Sequence, residues 1–172
     1  MTNDGLLIDA FDRVRQGVRR VLEGLAGDGL TWRPDPGANS VGWLVWHVAR
    51  VQDAQVAEVA GTEQVWLAGG WEGRLGLPYE AGATGYGHAP EDVGRFPAVA
   101  TDLLTGYLDA THEATVAFLR DLEDARLGEV VDRRWDPPVT LGVRLVSILA
   151  DDLQHLGQAA YVRGMAERAG VG

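Results

Sequence analysis

The chain has 172 residues, 46% of them hydrophobic and 23% charged, a length and composition of one globular domain spanning 1–172 that exclude disorder and collagen-like repeats. It has no cysteine, which excludes a cysteine nucleophile, thiolate-ligated zinc, an iron–sulfur cluster and a CxxC redox pair. Its 15 basic residues are all arginine against 25 acidic ones, a net charge of −10; a lysine Schiff base is impossible, and neither nucleic acid nor an anionic membrane is expected as a partner.

Leu7, Phe11, Val14, Val18, Leu22 and Leu25 recur at spacings of three and four, so an amphipathic helix is expected over 6–25 with Asp4 as its N-cap. Gly27 and Gly29 end it, and Pro34 and Pro36 keep the following connection from being helical. Asn39 and Ser40 offer caps for a second helix over 41–60, whose apolar surface of Val41, Leu44, Val45, Val48, Val51 and Val56 also carries Trp43 and His47. Residues 61–89 hold eight glycines with Trp66, Trp71, Tyr79 and Tyr86 and no helical period. A loop this long serves a function or is disordered, and the aromatics argue against disorder. Ala89-Pro90-Glu91-Asp92 opens a short helix.

A third long helix is expected over 98–123 along the stripe Leu104, Tyr107, Leu108, Thr111, Thr115, Phe118 and Leu122, which leaves His112 as a surface residue. A fourth begins after Asp136-Pro137-Pro138, capped by Thr140, and runs to about 166. The fold class is therefore all-α, a four-helix bundle with a long aromatic loop between its second and third helices. No apolar run reaches ~18 residues, and the N-terminus lacks the basic and apolar regions of a signal peptide. A cytoplasmic location is expected.

Only four histidines exist, at 47, 88, 112 and 155. Asp151 and His155 are four apart, so their side chains share one helix face, a spacing suited to two ligands on one ion. His47, on the face with Trp43, Leu44 and Val51, is the candidate third ligand from a facing helix. Asp152 points about 100° away and is a poor substitute. Two arrangements satisfy a buried Asp151: a cation, or an ion pair with Arg144 two turns back. The alternative for His47 is a hydrogen-bonded core histidine.

Trp32-Arg33-Pro34-Asp35-Pro36-Gly37-Ala38-Asn39-Ser40 with Val41-Gly42-Trp43-Leu44-Val45-Trp46-His47, and Asp151-Asp152-Leu153-Gln154-His155-Leu156-Gly157-Gln158 a hundred residues on, resemble the second- and fourth-helix signatures of the DinB-like (YfiT-like) superfamily of four-helix bundles. The resemblance implies a metal held by a second-helix histidine and two fourth-helix ligands four apart, here His47, Asp151 and His155. Many relatives have histidine at the position of Asp151; the similar mycothiol-dependent maleylpyruvate isomerases have glutamate, one methylene longer.

Three ligands leave an open coordination position, as catalytic zinc sites do; nickel, iron and manganese also suit a His₂-carboxylate set. Such an ion lowers the pKa of a thiol or a water, giving a mycothiol-type transferase or isomerase, or a hydrolase. The resemblance favours the thiol and implies a homodimer. Gln158 is the expected hydrogen-bond partner beside the ligands. The candidate pocket for a small-molecule substrate takes Trp43, Glu58, Arg144 and, from the long loop as a lid, Trp66, Trp71, Tyr86 and His88; the alternative for that loop is a hydrophobic plug over one bundle end or a dimer contact. A non-catalytic bundle that binds a small molecule or dimerises is the competing expectation.

Overall fold

The computed structural model describes residues 2–171. Four long helices form the bundle: α1 (Asn3–Leu22), α3 (Val41–Ala60), α7 (Thr101–Arg120) and α8 (Leu141–Arg168). Helices α1 and α3 each pack against both α7 and α8, so α1 stands diagonally opposite α3, and the longest seam joins α3 to α8. The core follows the sequence stripes: Phe11, Val14 and Val18 from α1 meet Leu44 and Val48 from α3, Leu104 and Leu108 from α7, and Leu145 and Ile148 from α8. Each such side chain contributes ~1.5–3 kcal/mol by leaving water.

Helix α3 has the expected bounds because its ends are chemically marked. The Ser40 side chain accepts a hydrogen bond from the Trp43 N–H at 3.3 Å, and Gly61, at φ +68°, closes the C-terminus in the left-handed region. Thr140 caps α8 in the same way through the Val143 N–H. The first helix lies three residues earlier than its apolar stripe suggests. Thr2 occupies the N-cap position and Asp4 lies inside the first turn, so the expected Asp4 cap is corrected; its charge still complements the positive end of the helix dipole. Leu25 completes the core from beyond the helix end. The third long helix is also shorter than 98–123.

The segment 61–89 is not one irregular loop. It contains α4 (Val65–Ala68) and α5 (Trp71–Leu75), single turns too short to register a period of 3.6. Trp66 and Trp71 are buried and pack on Tyr107 with ring centroids 5.0 and 5.9 Å away. Gly106 makes the notch for the second of them, since a Cβ there would lie 2.8 Å from the Trp71 ring. A further short helix, α6 (Pro90–Gly94), precedes α7, and α2 (Asp28–Thr31) follows α1. Between α7 and α8 a 3₁₀ turn leads into a small antiparallel pair, β1 (Val130–Asp132) and β2 (Val139–Thr140), an element the sequence reading did not expect.

His112 corrects another expectation. It is 5% exposed and its Nε2 lies 2.7 Å from the Asp12 carboxylate on α1, because the α7 face beside the apolar stripe is covered by α1. It bridges two helices and lies outside the metal-capable cluster. No helix among the described residues is long and apolar enough to cross a membrane.

Candidate metal centre

The α3–α8 seam brings together the three residues that the sequence singles out. His47, Asp151 and His155 each offer one ligand atom, and these atoms lie within 4.8 Å of one another. His47 Nε2 is 3.8 Å from Asp151 Oδ2, and His155 Nε2 is 3.5 Å from Asp151 Oδ1. The two imidazoles meet edge to face, with centroids 4.6 Å apart. Asp151 Oδ2 is buried without a hydrogen-bond partner, although leaving a carboxylate oxygen unpaired away from water is costly. Oδ2 faces His47 Nε2 across a gap too long for a hydrogen bond, while Oδ1 faces His155 Nε2, and a cation between the three side chains is an arrangement that satisfies the stranded oxygen. The residues fit an ion with nitrogen and oxygen ligands, and Asp151 reaches the cluster despite its shorter side chain.

Arg144 does not take that role. Its guanidinium binds Asp132 at 2.9 Å and Glu58 at 3.1 Å, two turns away from Asp151 along α8, so the ion-pair alternative for Asp151 is overturned. The reason is β1, which delivers the buried Asp132 to Arg144 and could not be foreseen from helix spacing. Asp132 also holds Arg134 at 2.7 Å, and these partners keep its carboxyl far below the ordinary carboxylate range.

The local environment prepares the candidate ligands. Burial lowers the pKa of His47, partly opposed by its hydrogen bond to the Thr84 carbonyl, so the imidazole is neutral and able to coordinate at pH 7. The neighbouring His155 lowers that of Asp151, and Asp151 in turn raises that of His155. His155 Nδ1 lies 3.2 Å from Gln158 Oε1, as expected of an orienting partner. The side chains are 6%, 38% and 19% exposed for His47, Asp151 and His155, so the cluster sits at the bundle surface with an accessible side.

The expected pocket is rearranged. Trp43 stacks on His47 with centroids 4.9 Å apart and planes 11° from parallel. His88 lies behind it, accepting from the Trp43 indole N–H at 3.3 Å. Trp66 and Trp71 are buried in the core against Tyr107 and belong to no lid. Tyr86, 89% exposed, and Arg144 line a groove of 620 Å³ with Gln55, Asp132, Trp135 and Ser147. A second groove, of 440 Å³, includes Gln158, Leu44 and Tyr161. Glu58 stays at the rim on Arg144. Sequence reasoning missed the Thr84 carbonyl and Trp135: a main-chain acceptor has no signature, and Trp135 lies in a loop without periodicity.

Asp152 is fully buried with both carboxylate oxygens unpartnered. Burial, reinforced by the Asp151 charge, pushes its pKa well up. The unfolded chain ionises this side chain near ~3.9 while the folded chain holds the proton to higher pH, so its burial destabilises progressively as pH rises above the unfolded value. Asp152→Asn is therefore expected to flatten the fall in stability between pH 5 and 8. Urea unfolding at both pH values checks this, and an unchanged slope would refute a protonated Asp152.

The DinB superfamily sequence profile matches residues 10–159. The chain belongs to the DinB superfamily. A conserved protein of Enterococcus faecalis has a similar structure, with a TM-score of 0.89 and 31% sequence identity over 95% of this chain and 96% of the other. No curated protein matches. This DinB superfamily member is thus an all-α bundle with a His-Asp-His cluster able to hold a divalent ion.

Proposed function

We propose that this DinB superfamily protein is a metal-dependent enzyme in which His47, Asp151 and His155 hold a divalent transition ion, zinc first, and the ion supplies Lewis acidity that lowers the pKa of a low-molecular-weight thiol of the mycothiol type. The observation that carries the reading is the unpartnered Asp151 Oδ2, in a cluster where one ligand atom each of His47, Asp151 and His155 lies within 4.8 Å of the others. The thiol must come from outside, since the chain has no cysteine, and the 620 Å³ groove, which none of the three ligands lines but which Ser147 borders one helical turn before Asp151, has the volume of a small-molecule site. The reaction proposed is thiol transfer or isomerisation. A hydrolase is the second reading, supported by the 38% exposure of the Asp151 side chain, which gives water access to the cluster.

A second copy of the chain belongs to the proposal. The outer face of α8 presents Val143, Val146, Ala150, Leu153, Gly157, Ala160 and Tyr161, all exposed and uncharged. Laid antiparallel on itself about Leu153, this stripe sets Val146 against Ala160, a large residue against a small one.

Titration calorimetry tests the thiol. Mycothiol is expected to bind the zinc-loaded protein at least about tenfold more tightly than the apo-protein, a difference of ~1.4 kcal/mol. Equal affinities would remove the thiol reading and leave the hydrolase. Light scattering on the same samples should give twice the 18.5 kDa chain mass; a monomer at all concentrations would remove the second copy.

A further inference from the structure

His47 has two ring nitrogens, and the segment 61–89 decides which of them carries the proton. Nδ1 lies 2.6 Å from the Thr84 carbonyl oxygen, which can only accept, so Nδ1 must be the donor and Nε2 is left with its lone pair. Nε2 is the atom that faces Asp151. The acceptor is on a long connection, and such a segment holds a hydrogen bond at 2.6 Å only if something else immobilises it.

Arg50 does so. It lies one turn after His47 on α3 and is 0% exposed. Its Nε donates to the Ala83 carbonyl at 3.1 Å, immediately before Thr84, and its NH2 group donates to Gln64 Oε1 at 3.0 Å at the beginning of the same connection. Asp53 and Tyr107 anchor the guanidinium through NH1 at 3.4 and 3.2 Å. On the other side of Thr84, Gly85 has φ +91°, and a Cβ there would fall 2.7 Å from His47 Nδ1 and 2.9 Å from the Trp43 ring. Only glycine lets the backbone lie this close against the imidazole. With Trp43 stacked on its face, His47 is held on its face by an indole and at Nδ1 by backbone.

We propose that the Ala83–Thr84–Gly85 turn, pinned by the positioning residue Arg50, is a built-in orienting strap that fixes His47 in its Nδ1–H tautomer and presents Nε2 to the metal. This inference rests on the reading of His47 as a metal ligand and assigns the 61–89 segment a task different from that of a lid. Outer partners of ligating histidines commonly contribute ~10–100-fold to metal affinity, and that is the effect expected here.

Nitrogen-15 NMR of the histidine side chains in the metal-free protein at pH 7.5 reads the tautomer directly. The expected result is a His47 proton on Nδ1 in the wild type, lost or mixed in Gly85→Ala, with cobalt(II) affinity about 10–100-fold weaker in Gly85→Ala and Arg50→Lys. Circular dichroism should show both variants still helical. A wild-type proton on Nε2 would overturn the proposal, as would folded variants that keep wild-type tautomer and cobalt affinity. Should Arg50→Lys fail to fold, Gly85→Ala decides, because it changes none of the residues that Arg50 bonds to. If the wild type binds no cobalt at all, the metal reading falls, while the tautomer measurement still decides the strap.

Discussion

His155→Ala and His47→Ala are each expected to abolish retention of a transition metal by the protein purified without tag or chelator, with the bundle intact. Each removes one of three ligands, and the loss should exceed the ~10–100-fold of an outer partner. The two variants should differ in stability. His155 is 19% exposed, with its Nδ1 near an exposed Gln158, so its truncation opens a space that solvent reaches. His47 is 6% exposed, stacked on Trp43 and bonded to Thr84, and its removal leaves the Thr84 carbonyl without its partner at a cost of ~1–3 kcal/mol. His155→Ala is therefore the cleaner probe. Elemental analysis checks both: one equivalent of metal in the wild type and none in the variants is expected, and full occupancy of both variants would eliminate the triad. An empty wild type after reconstitution would return the protein to the binding-module reading.

Asp53→Ala should be among the most destabilising single changes in the chain. Its carboxylate is buried and accepts from the Val65 and Trp66 N–H groups at 2.8 Å each and from the Tyr107 hydroxyl at 2.8 Å. It also faces the fully buried Arg50 guanidinium at 3.4 Å. Removing it strands a buried cation and the donors of α4 at once, and breaking a buried pair by deleting one partner costs ~3–5 kcal/mol. For a domain of this size that corresponds to a fall in Tm of about 6–20 °C. Thermal unfolding measures it; a shift below about 2 °C would mean that Arg50 finds other partners. Because Arg50 also holds Ala83, the variant should weaken metal binding as well, linking the stability of the 61–89 segment to the site.

Much of this protein is legible in one dimension. The α3 bounds follow from Ser40 and Gly61, local signals acting through backbone hydrogen bonds within one turn. The Asp151–His155 pair is legible for a similar reason, since residues four apart on a helix are neighbours wherever the helix lies. Membership in the DinB superfamily is carried by the motif around His47 and the one ending at Gln158, and the profile match over 10–159 agrees. Where the sequence misled, distant partners were responsible. His112 looked exposed because only α1 covers it, through Asp12 a hundred residues away. Trp66 and Trp71 looked like a lid because nothing local reveals the Gly106 notch or Tyr107.

The sequence by itself determined the four long helices, their order, the apolar faces that must meet, and two of the three candidate ligands as a pair. These depend on periodicity and on hydrogen bonds a few residues long. Only the tertiary structure decided that His47 completes the cluster, that Arg144 is committed to Asp132 instead of Asp151, and that the Thr84 carbonyl orients His47. Each of those outcomes is a competition among side chains and carbonyls far apart in the chain for the same few charges and protons, and it is settled by which of them the packing brings within about 3 Å.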